Sequence, residues 1–99
     1  MAKQVRWSPL AEKDVNLIAD YLIKNWDYKI YDNFITDLDQ SINQIVSKPK
    51  LFPVIHKKLN VRKLVITKHN TLFYREIKKS IEIIRVFDSR QDPKKLTFR

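Results

Sequence analysis

The sequence predicts an α+β domain of order β-α-α-β-β-β, in which a helical hairpin packs on a small antiparallel sheet. Three observations carry this expectation. Apolar residues recur at helical spacing from Ala11 to Ile45, the period changes to two after Pro53, and the links between periodic segments are short and polar. Ninety-nine residues with 43% hydrophobic content suffice for one domain, residues 1–99, around one core.

Gln4-Val5-Arg6-Trp7 alternates polar and apolar, as a short half-buried strand does. Ser8-Pro9 then reads as an N-cap followed by proline at the first helical position. Ala11, Val15, Ile18, Leu22 and Trp26 follow at helical spacing, with Glu12, Lys13, Asp14 and Asp20 on much of the other side. Asn25-Trp26-Asp27 breaks the pattern and can cap a second helix. There Tyr31, Phe34, Leu38, Ile42 and Ile45 keep the spacing until Ser47-Lys48-Pro49 ends it. So short a link makes the two helices an antiparallel hairpin.

Residues 61–66, 71–77 and 81–88 are rich in β-branched and aromatic side chains and read as three strands. Thr67-Lys68-His69-Asn70 and Lys78-Lys79-Ser80 are the turns of an antiparallel meander. One sheet face is expected against the helices and the other partly open, with residues 89–99 extending over the sheet. The chain has no glycine, so a glycine-rich phosphate cradle cannot be built. Turns needing positive φ must fall on other residues, with Asn25, Asn60, Asn70 and Ser80 as candidates.

Absence of cysteine removes disulfides, thiolate chemistry and zinc–thiolate sites, and fits a reducing cytoplasm. The start, Met1-Ala2-Lys3-Gln4-Val5, has no apolar core of a secretion signal. No apolar run approaches the roughly 18–20 residues of a membrane span. A cytoplasmic protein without membrane contact is the expectation.

Charge is segregated. Residues 1–39 hold five Lys/Arg against seven Asp/Glu, whereas residues 40–99 hold fifteen against four. Between Asp39 and Glu76 there is no acidic residue at all. A strongly positive face suits a polyanion or an acidic protein segment.

Among residues that could carry chemistry, His69 sits in a predicted turn and His56 precedes Lys57-Lys58. Strand alternation puts Leu72, Tyr74 and Glu76 on one face and Phe73, Arg75 and Ile77 on the other. Ile83, Arg85 and Phe87 share a face of the last strand, so Arg75 and Arg85 could come together across the pair, on a side that alternation alone does not specify. Glu76-x-Lys78 mimics a fragment of a metal-nuclease pattern but lacks its upstream carboxylate. No metal or other cofactor is expected.

Trp7-Ser8-Pro9-x-Ala11-x-x-Asp14-Val15, Pro49-x-Leu51-Phe52-Pro53, Arg62 followed by Leu72-Phe73-Tyr74-Arg75, and residues 83–93 stand in order along nearly the whole chain. Together they resemble the RelE/ParE superfamily of bacterial type II toxin–antitoxin modules, and are nearest its ParE-like branch. The resemblance implies a growth-arresting toxin of the plasmid-stabilisation kind, neutralised by a cognate antitoxin and meeting operator DNA only through it. ParE-type members inhibit DNA gyrase. RelE-type members cleave mRNA on the ribosome without metal. A non-toxic basic module that binds nucleic acid is a third reading.

If the chain is an endoribonuclease, the resemblance points to Arg62 and Arg90 as catalytic, with Tyr74, Arg75, Arg85 and His69 as lesser candidates. Lys57, Lys58, Arg62, Lys63, Arg85 and Arg90 form the expected surface for a target or nucleic acid. The pattern departs from RelE at Thr71 and Leu64, where RelE has arginine and lysine. No tyrosine follows Arg90, and Asp88 stands where related toxins often have histidine. These departures favour gyrase as the target.

Overall fold

The computed structural model describes residues 4–98, so Met1-Ala2-Lys3 and Arg99 of the expected tail lie outside the described residues. The elements run β1 (Gln4–Trp7), α1 (Pro9–Asn25), α2 (Tyr28–Ser47), β2 (Val54–His56), β3 (Val61–Thr67), β4 (Asn70–Ile77) and β5 (Ser80–Asp88). A 3-10 turn over Pro93–Lys95 follows. The predicted order holds, with one strand more: β2 pairs with β3 at a bulge where a loop was expected. The sheet order is β1-β5-β4-β3-β2, and β1 joins β5 in parallel, so the sheet is mixed rather than wholly antiparallel.

Local chemistry sets the helix ends. Ser8 Oγ accepts the Ala11 N–H at 3.0 Å, satisfying one of the donors that a helix start leaves open. The same hydroxyl donates to the Ile84 carbonyl at 2.7 Å, tying the cap to β5. Asp27 Oδ1 accepts from Ile30 N at 3.0 Å to start α2. Pro49 disfavours helical backbone at Lys48, which takes φ −139° and ψ 73° and ends α2.

Ala11, Ile18 and Leu22 of α1 and Phe34, Leu38 and Ile45 of α2 bury one sheet face, against Leu64, Leu72, Tyr74, Ile81, Ile83 and Val86. Each such aliphatic side chain contributes roughly 1.5–3 kcal/mol by leaving water. Trp26 matches the helical period but falls on the C-cap of α1 and is 62% exposed, so it is not part of this core. The second face is covered by the tail over β5 and part of β4 and β3, and stays open at Val65, which is 60% exposed. Leu96 and Phe98 pack with Val61, Phe73, Ile84 and Phe87, and the Phe98 ring lies 5.2 Å from that of Phe73. With both faces covered, β5 is buried along most of its length.

Positive φ occurs at Asn60 (55°), as expected, and at Lys78 (53°), but at none of Asn25, Asn70 and Ser80. Asparagine tolerates this region, whereas lysine there costs roughly 1–2 kcal/mol.

Candidate target-binding surface

One extra residue rules out the arginine cluster that alternation allowed. Phe73 lies opposite Arg85 and Tyr74 opposite Ile83, so Ile84 is a bulge. Arg75 therefore faces Glu82, and their side chains pair at 2.8 Å, each about one-third exposed. Arg85 turns elsewhere. Its Nε and Nη2 donate to the two Asp14 carboxylate oxygens at 2.7 and 2.9 Å, and Nη1 donates to the carbonyls of Thr97 and Lys95. The meeting of Arg75 and Arg85 that alternation allowed does not occur, and Arg85, 6% exposed, lies beneath the surface rather than on a target-binding face.

Tyr74 belongs to the helix-covered face. Its hydroxyl donates to the Pro49 carbonyl at 2.7 Å, and the side chain is fully buried. Burial pushes its pKa up to about 12, against a smaller opposing pull from Arg62. Arg62, across from Tyr74 on β3, donates through Nη1 to the carbonyls of Phe52 at 2.6 Å and Lys50 at 3.2 Å. It thereby holds the chain that follows α2.

Arg90 follows the end of β5. Its Nε and Nη2 grip Asp88 at 2.9 and 2.7 Å, and its guanidinium carbon stands 5.1 Å from the centre of the Tyr21 ring. Burial pushes the Asp88 carboxyl upward, but the bonds from the Arg90 side chain and backbone outweigh it and hold the net value below the ordinary range. Arg90 is correspondingly raised, chiefly by its bond to Asp88.

Beside Arg90 opens a cleft of about 340 Å³ between the α1–α2 turn and the β3–β4 turn. Leu22, Trp26, Ile30 and Phe34 give it apolar walls; Asp37, His69 and Asn70 give it polar ones. Sequence reasoning placed Trp26 and Ile30 in no such site. The signal that was available is that Trp26 stands at the end of its helical stripe, next to the two caps.

His69 is half-buried at the β3–β4 turn. His56 is held in β2, where Nδ1 accepts from Leu59 N at 3.2 Å and the ring lies edge-on to Phe98. Lys57 and Lys58 are exposed and Lys63 is half-buried.

The topology sets a helical-turn end of mixed charge, where Lys24 and Lys29 stand among carboxylates, apart from a lysine-rich end. α1 runs beside β5 from Ser8, near Ile84, to Tyr21, near Arg90; α2 returns toward Pro49 and Tyr74. Asp20, Asp27 and Asp32 thus gather at the helical turn, with the exposed rings of Tyr21, Trp26 and Tyr28. Exposed Lys48, Lys50, Lys57, Lys58, Lys78 and Lys79 gather toward the other end.

The family model for the ParE toxin of the type II toxin–antitoxin system parDE matches residues 5–93. The chain belongs to the ParE toxin family. Among curated proteins no sequence matches. The fold of this ParE-family chain is similar to that of a chromosomal ParDE toxin–antitoxin system from P. aeruginosa, with TM-score 0.66 and 17% identity over 88% of this chain and 96% of that one. It is similar also to the E. coli DinJ–YafQ toxin–antitoxin complex, with TM-score 0.60 and 14% identity over 91% and 96% of the two chains. A point mutant of E. coli YafQ gives TM-score 0.57 and 15% identity over 89% and 94%. Among the described residues no helix is long and apolar enough to cross a membrane.

Proposed function

We propose that this ParE-family toxin arrests growth by capturing DNA gyrase, and that a cognate antitoxin neutralises it by covering its apolar clefts and positive surface. One observation carries the choice of gyrase over mRNA. Arg62 lies opposite Tyr74, whereas Arg90 follows Asp88, which lies opposite Asn70. The four residues from Asn70 to Tyr74 set Arg62 and the Asp88 that Arg90 grips about 13 Å apart along the strand direction, at roughly 3.3 Å per residue. Metal-free cleavage needs its acid, base and phosphate-stabilising groups around a single phosphate. Here both arginines are engaged with fixed partners, and the Tyr74 hydroxyl is spent on a backbone carbonyl inside the core. Dispersal of this kind supports a surface that binds rather than cuts.

The test pairs two assays on purified toxin. Plasmid supercoiling by gyrase is expected to fail as toxin is added, with cleaved DNA accumulating. Ribosomes translating a defined message are expected to leave that message intact. Cuts in the message with supercoiling unaffected would overturn the reading in favour of a ribosome-dependent endonuclease. Antitoxin association is expected to weaken as salt rises, because opposite charges meet across the interface.

A further inference from the structure

Two dilysine turns project side by side from one end of the sheet. Because Arg62 lies opposite Tyr74, the start of β3 and the end of β4 share that end. The Lys57-Lys58 turn between β2 and β3 and the Lys78-Lys79 turn between β4 and β5 therefore emerge together. All four lysines are exposed. Their turns stand two strand spacings apart, roughly 10 Å, comparable with the roughly 12 Å width of the DNA major groove. The acids of this end are already engaged: Glu82 pairs with Arg75, and Glu76 also has an interaction partner.

Lys78 adds an independent observation. Its backbone is left-handed, where asparagine or glycine is the ordinary choice, and the neighbouring turn does place Asn60 there. Strain of this kind persists only where the surrounding structure holds it, here the tight β4–β5 turn, and it fixes the direction in which that turn leaves the sheet. The exposed rings of Tyr21, Trp26 and Tyr28 all lie at the opposite end, so among the described residues the lysine end has no such platform on which splayed bases could stack. It presents ammonium groups at a spacing fixed by the sheet, and an ammonium meets phosphate as a point charge without strict orientation.

We propose that the Lys57-Lys58 and Lys78-Lys79 turns together grip the phosphodiester backbone of double-stranded DNA. The inference goes beyond the choice of target above, and its test contains neither gyrase nor ribosome, so either can fail alone.

Binding of a fluorescent 20-base-pair duplex by the purified full chain is followed by anisotropy across a range of salt. Each phosphate contact contributes about 0.9 to the slope of log affinity against log salt, so K78Q/K79Q is expected to flatten that slope by about 2. K24Q/K29Q, at the helical turn, leaves it unchanged. K78N removes one charge while suiting the left-handed backbone, so it flattens the slope by about 1 and raises the melting temperature. The proposal is overturned if K78Q/K79Q leaves the slope as it was, or if K24Q/K29Q flattens it equally. It is overturned too if a single-stranded 20-mer or polyglutamate, matched for charge, competes as well as duplex.

Discussion

Asp14 and Arg85, 71 residues apart in sequence, meet in a two-pronged ion pair of 2.7 and 2.9 Å between α1 and β5. Asp14 Oδ2 also accepts from Val86 N at 3.1 Å, so one carboxylate seals a stretch of β5 that the short β1 does not reach. Breaking a buried pair strands the remaining charge and costs about 3–5 kcal/mol. Asp14→Ala is expected to lower stability by that amount in urea unfolding. D14L/R85M, which removes both charges, should recover much of the loss; failure to recover would locate the cost in the bonds to Val86 N and to the Lys95 and Thr97 carbonyls.

Tyr74→Phe removes the bond to the Pro49 carbonyl and is expected to cost about 1 kcal/mol. The intact hydroxyl also sets an alkaline limit. Its folded pKa of about 12 lies above the ordinary value of 10.0, so its stabilisation is full below pH 10. That contribution is lost as pH rises through about 12. Ultraviolet titration should show one of the four tyrosines ionising only near that limit or on unfolding, and Tyr74→Phe should abolish that late step.

Arg90→Ala should release the Asp88 carboxyl upward, read by carbon-detected NMR titration. Because Asp88 is held below its ordinary value, its contribution is present above the ordinary aspartate range and fades as pH falls through the lowered folded value. The acid limb of the stability curve therefore becomes shallower in the variant, because less of it comes from Asp88. The arginine side chain is 38% exposed, so the loss at neutral pH should stay below about 1 kcal/mol.

Phe98→Ala tests the tail as a cover for the second sheet face. Phe98 is half-buried, so the cost should be about 1–2 kcal/mol, less than the 3–5 typical of a fully enclosed ring. Trp26→Ala, by contrast, should change the melting temperature little, since its ring stands largely in water.

Most of the fold was legible because its signals are local. Ser8-Pro9, Asp27 and Pro49 mark helix ends through capping and φ restriction, and period two marks β3, β4 and β5. What was illegible depends on counting across strands. Ile84, one unpaired residue, moves Arg85 out of step with Arg75, and alternation within each strand says nothing of such an insertion. β2 has only three residues behind Pro53, too few for a period, and Trp26 fits a period whose helix has already ended. The candidate site suffered most. Arg62, Tyr74 and Arg85 read as free polar groups in a string of letters, while each is committed to a partner 10 to 71 residues away.

The glycine-free chain has a consequence outside the folded molecule. Glycine widens the set of conformations an unfolded chain visits, and fixing it on folding is entropically expensive. A chain of 99 residues with none begins from a narrower denatured ensemble, so less disorder is surrendered when it folds. Part of this toxin's stability therefore resides in no contact at all, and a glycine introduced at Lys78 would relieve the turn while loosening the state from which it forms.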